Sequence, residues 1–164
     1  MTRDRLVLIA GLGSVAALLV ALGFEYIGGL APCELCMTQR WEHGAGIVVA
    51  VAALILPWRS VSWLGALAML AGIVTGVYQW GTQMKWWEGL TECTATQNFG
   101  AMSSKDALNA LMNAPIVRCD AIHPPFPILG LTMPAWNAVL CFVLMLIWIV
   151  AARRKPRPPL DFKA

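Results

Sequence analysis

Charge is what this sequence has least of. Only 13% of its 164 residues are Asp, Glu, Lys or Arg, while 59% are hydrophobic. A soluble globular domain carries about 25% charged and about 45–50% apolar residues. The composition therefore excludes an ordinary soluble domain and indicates an integral membrane protein. A concentrated basic patch is also missing. The net charge is only +3 and the cations are spread over loops and the tail, which leaves no electrostatic footprint for nucleic acid. Two further absences concern the "PCELCMTQRW" stretch at 32–41. Met37, not His, follows the second cysteine, which excludes haem attachment by that motif. A second Cys-x-x-Cys, the usual clip of a four-thiolate zinc site, does not occur, and no metal is expected.

What is present is a set of long uncharged runs: 6–24, 44–58, 60–84 and 121–152. A helix needs about 20 apolar residues to cross the hydrocarbon core. The second run is short, but Trp41, Glu42 and His43 can occupy its headgroup layer. The fourth opens with a proline-rich stretch, so its helix is expected from Pro134, where proline suits a first turn. The expectation is a single all-α domain over 1–164: an integral membrane four-helix bundle with helices near 6–26, 41–57, 61–80 and 134–152. The first run is longer than the apolar part of a signal peptide, and Pro32 before Cys33 fits a lipoprotein cleavage site poorly.

Four crossings put both termini on one side. That side holds Arg3, Arg5, Arg59, Arg153, Arg154, Lys155, Arg157 and Lys163, against Arg40, Lys85, Lys105 and Arg118 on the other. The positive-inside rule makes the termini cytoplasmic. Two loops, near 27–40 and 81–133, then face outward. The eight tryptophans fall mostly near helix ends, as in an interfacial belt. Within the long loop, Ser104 is a candidate N-cap and Pro115 a stop for a short helix, with Ala107, Leu108, Leu111 and Met112 along one side for the membrane surface.

This topology sorts the five cysteines. Cys33 and Cys36 lie in the first outer loop, Cys93 and Cys119 in the second, and Cys141 inside the last helix, where a thiol packs as a small hydrophobe. The outer face is where disulfides persist. Structural staples and redox couples both remain open. Closing a loop from Cys93 to Cys119 is worth about 3.5 kcal/mol in the chain-entropy model, but the small Cys33–Cys36 ring only about 2 kcal/mol before strain. A tight Cys-x-x-Cys is a poor staple and a good reversible couple. With a second helix beginning near Cys36, Arg40 lies one turn on along the same face, and its permanent charge suits a thiolate. Snorkelling to the interface is the plainer role for that arginine.

Taken together, "PCELCMTQRW", "VYQW" at the end of the third helix, "WWEG" after it, a lone cysteine pair in the second loop and "LGLTMPAWN" entering the fourth helix resemble the DsbB family of bacterial inner-membrane disulfide bond formation proteins. The resemblance spans nearly the whole chain. It implies a quinone-dependent oxidoreductase. A periplasmic thioredoxin-fold oxidase similar to DsbA would pass two electrons to Cys93–Cys119, with Cys93 forming the mixed disulfide. Cys119 would exchange with Cys33, Cys36 would face the quinone, and Arg40 would serve the quinone site; ubiquinone and menaquinone fit alike. Many relatives carry His where this chain has Gln79, which donates hydrogen bonds but does not titrate. His43, one turn below Arg40, is a candidate proton relay. The rival readings are a non-catalytic membrane subunit with structural loop disulfides and a conduit delivering reducing equivalents outward.

Overall fold

The computed structural model describes residues 1–56, 58–87, 119–120, 122 and 130–155. Four helices account for most of them: α1 (Arg3–Tyr26), α2 (Glu34–Ile55), α3 (Arg59–Gln83) and α4 (Met133–Arg153). Cys93, the candidate helix near 104–115 and most of the proline-rich stretch after Ile122 lie outside the described residues.

The helices form a ring in which α1 packs on α2, α2 on α3, α3 on α4 and α4 back on α1, with the α3–α4 contact the most extensive. Three of them, α1, α3 and α4, are long and apolar enough to cross a membrane. At 22 residues, α2 is about as long as they are, roughly 33 Å at 1.5 Å per residue. Its first turns carry Glu34, Gln39, Arg40, Glu42 and His43, which dilute its hydropathy. The outer face of the ring is apolar: Leu12, Leu19, Val48, Leu67 and Phe142 are all exposed. Such a surface suits lipid and would be a liability in water. The chain is an all-α membrane bundle.

Small residues let the helices approach. Gly65, Gly72 and Gly76 line the side of α3 that meets α4. A Cβ at Gly65 would sit 2.4 Å from the Trp148 ring, and one at Gly72 would sit 2.6 Å from Cys141 Sγ. Glycine is required there by closeness, as in other membrane helix pairs. Trp148 accordingly departs from the expected belt: it is fully buried against α3, whereas Trp58 and Trp86 are exposed near helix ends.

Two helix bounds differ from the apolar runs. α2 begins at Glu34 rather than near 41, because Cys33 caps it: the Cys36 backbone N–H donates to Cys33 Sγ at 3.3 Å. Its polar first turns face the bundle interior, with Gln39 and His43 buried. α3 runs past Trp80 to Gln83, and the chain then turns at Lys85, whose φ is 59°. Hydropathy marks where lipid lies, not where a helix ends.

The end that holds both termini is tied by arginines. Buried Arg3 donates from Nη2 to the carbonyls of Leu56 (3.5 Å) and Trp58 (3.3 Å) and to Ser62 Oγ (3.4 Å). Arg59 donates to the carbonyls of Ala152 (3.3 Å) and Arg153 (2.8 Å), which closes the C-terminus of α4. These orphan carbonyls would otherwise lack partners.

Candidate active site

At the opposite end, the last turns of α1 and α3 and the first turns of α2 and α4 enclose an apolar cavity of about 450 Å³. Cys33, Cys36, Gln39, Arg40, His43 and Gln79 are among its walls. The cysteine motif sits there because Pro32 and Cys33 lead directly into the first turn of α2.

Cys33 and Cys36 are free thiols. Cys119 is disulfide-bonded. Cys33 and Cys119 are both buried and pack in one cluster with Leu35 and Cys36. Residues 86 positions apart in sequence thus pack together. An ion pair beside them fixes the approach: Lys85 Nζ meets Asp120 Oδ2 at 2.6 Å and ties the residue after Cys119 to the end of α3.

Hydrogen bonds converge on the thiol pair. Besides the Cys36 N–H, the Gln79 side-chain amide donates to Cys33 Sγ at 3.2 Å and to Cys36 Sγ at 3.5 Å. Gln39 in turn donates to Gln79 Oε1 at 2.9 Å. The two thiols act on each other's ionisation. Cys36 is pushed down to about 6, first by the hydrogen bond from Cys33, then by Gln79, by the backbone and by the charge of Arg40, all against the cost of burial. Cys33 is pushed up, first by that same bond to Cys36 and then by burial. The pair therefore loses one proton easily and holds the other.

Arg40 stands where the spacing puts it, one turn past Cys36, but its direct partners are others. Its Nη1 is paired with Glu25 Oε2 from α1 and its Nη2 donates to the Ala21 carbonyl at 3.3 Å. Glu25 was not singled out in the sequence; a lone acid at the end of an apolar run is its only signal. His43 is buried, with Nε2 2.9 Å from Asn137 Oδ1 on α4. Cys141 is fully buried in the core as expected, and it also lies 3.7 Å from His43 Nε2. Glu42 accepts from Thr75 Oγ1 at 2.9 Å.

The family model for "Disulfide bond formation protein DsbB" matches residues 3–151. The chain belongs to the DsbB family. Among curated relatives, the Disulfide bond formation protein B of Cupriavidus necator is 32% identical over 84% of this chain and 85% of that protein. The protein of the same name from Herminiimonas arsenicoxydans is 30% identical over 94% of this chain and 99% of its own length. That from Methylococcus capsulatus is 32% identical over 78% and 80%. No solved structure matches. Membership of the DsbB family makes this a membrane protein of disulfide bond formation, and its match covers all four helices and the cavity they enclose.

Proposed function

We propose that this protein is a dithiol:quinone oxidoreductase of the bacterial inner membrane. It reoxidises a periplasmic DsbA-like thioredoxin-fold oxidase and passes two electrons to a membrane quinone, ubiquinone or menaquinone. The observation that carries the reading is the position of one thiol pair: Cys33 and Cys36 line an apolar cavity at the end of the bundle opposite the termini, while Cys33 packs against Cys119. A staple needs neither neighbour.

The electron path uses thiol–disulfide exchange. The partner's dithiol reduces the disulfide of Cys119, for which Cys93 is the proposed second sulfur; Cys93 forms the mixed disulfide and the partner leaves oxidised. The Cys119 thiolate then attacks Cys33, breaking the Cys33–Cys36 bond and placing the charge on Cys36. The Cys93 thiolate attacks Cys119, which restores that disulfide and releases Cys33.

The cavity suits a quinone, which supplies the two-electron acceptor that cysteines alone lack. Its walls are largely apolar, with Arg40 at one side. Asn137 Nδ2 and Thr132 Oγ1 are buried polar groups of the wall with no protein partner, and both can donate to carbonyl oxygens. Arg40, Asn137 and Thr132 are the residues proposed to hold the ring. Arg40 also favours negative charge as it develops nearby. The termini are proposed to be cytoplasmic and the cysteine loops periplasmic.

The test is quinone reduction by purified protein given a dithiol thioredoxin-fold donor. Turnover that disappears in Cys36→Ala supports the relay. Wild-type protein that reduces no quinone, and whose Cys33–Cys36 pair stays oxidised when quinone is withheld, would show a stapled, non-catalytic subunit. Outer cysteines held reduced in the steady state would show a conduit running the other way.

A further inference from the structure

Two buried amides stand behind the thiol pair, and neither can titrate. Gln79 is 2% exposed and Gln39 is 9% exposed. Their contacts form a directed chain: Gln39 Nε2 donates to Gln79 Oε1 at 2.9 Å, and Gln79 Nε2 donates to Cys33 Sγ at 3.2 Å and Cys36 Sγ at 3.5 Å. An amide has an acceptor end and a donor end. Gln39 engages the acceptor end of Gln79, so both remaining hydrogens are left for the sulfurs. Were Gln79 turned over, its NH₂ would face the NH₂ of Gln39 and its oxygen would face the thiols. Gln39, as it is oriented here, thus favours the Gln79 orientation that donates to the thiols.

We propose that Gln79 is a neutral donor clamp that steadies negative charge on either sulfur of the Cys33–Cys36 pair, and that Gln39 is the positioning residue that aims it. The proposal deepens the relay reading and rests on it for its role in turnover. A charged residue would favour one sulfur and would itself titrate. An amide with two hydrogens serves both sulfurs through exchange, when charge moves from Cys36 to Cys33 and back, and does so without adding a protonation step. A hydrogen bond to the charged form of an acid lowers its pKa, and a reduced form so stabilised makes the disulfide a better electron acceptor.

The experiment reads the thiols directly. Full-length reduced protein in detergent is alkylated with iodoacetamide across a pH series, and labelling at Cys33 and Cys36 is followed by peptide mass. The variants are Gln79→Met, Gln39→Met, the double variant and Gln79→His. Gln79→Met is expected to move the alkylation midpoint up by about one pH unit, a tenfold change in the ionisation constant. Gln39→Met gives a smaller shift in the same direction. The double variant shifts no further than Gln79→Met alone, because Gln39 acts only through Gln79. Gln79→His keeps one ring N–H and recovers part of the shift. An unchanged midpoint in Gln79→Met, or additive shifts in the double variant, would overturn the proposal. Should Gln79→Met fail to fold, Gln39→Met and Gln79→His carry the test, and a wild-type midpoint in both would overturn it equally. Since neither quinone nor partner enters the assay, a shifted midpoint with no quinone turnover in the wild type would sink the relay and leave the clamp standing.

Discussion

Arg40 and Glu25 hold each other across the α1–α2 contact at the edge of the cavity. Both side chains are largely shielded, with relative exposures of 17% and 24%. Removing one partner leaves the other charged and unpaired. Arg40→Met should therefore lower thermal stability and raise the apparent quinone KM by about tenfold, the scale of one lost charge-assisted hydrogen bond. Adding Glu25→Gln should restore the stability but not the KM. Arg40→Lys, which keeps the charge but not the planar fork, should fall between. Rapid mixing should show the partner step nearly unchanged. Recovery of KM together with stability in the double variant would mean that Arg40 only holds helices together.

The mutual influence of Cys33 and Cys36 sets a pH window. With the first ionisation lowered to about 6, the reactive anion is lost as pH falls through 6 and is nearly constant above 7. Alkylation of the reduced pair should be half-maximal near pH 6. A midpoint in the ordinary thiol range, about 8.5, would show that the hydrogen bonds converging there do not stabilise the anion.

Cys141 should be dispensable for electrons and useful for packing. Cys141→Ala leaves turnover near normal and costs about 1 kcal/mol, the scale of a small buried deletion. Its sulfur lies 2.6 Å from where a Gly72 Cβ would be, so Gly72→Ala should destabilise wild-type protein and be tolerated better in the Cys141→Ala background. Thermal melts of the four combinations decide this. A Cys141→Ala variant as inactive as Cys36→Ala would place this thiol in the relay.

Gly65→Ala should be the more damaging glycine change. The new methyl meets an indole ring at 2.4 Å, and the ring has no room to yield. Overpacking of this kind costs about 1–3 kcal/mol. A melt that matches wild type would show that α3 and α4 can part at no cost.

Orientation is checked by fusion. A reporter active only outside the cytoplasm should work when joined near Lys105 and fail after Lys155. Activity of the tail fusion would invert the sidedness on which the cysteine chemistry depends.

The four helices were legible because lipid imposes a length and a composition that charge interrupts. The start of α2 was not, since Gln39, Arg40 and His43 break the apolar run while facing inward. The nearness of Cys33, Cys36 and Arg40 was legible by spacing, and the family by likeness. The Gln39–Gln79 contact joins residues 40 apart, and the Glu25–Arg40 pair joins two helices. Such partners share no local pattern, so only packing reveals them. Trp148 was misjudged for the same reason: its burial depends on a glycine in another helix.

The bundle is tied differently at its two ends. Arg3 and Arg59 lash the helix ends around the termini to one another's carbonyls, while the hollow lies at the far end among side chains. At the far end the ties run between side chains instead: Arg40 to Glu25, Gln39 to Gln79 and His43 to Asn137. The foot is laced to main chain, which every residue type supplies, and the head to particular side chains, so substitutions that reshape the hollow leave the brace below it in place.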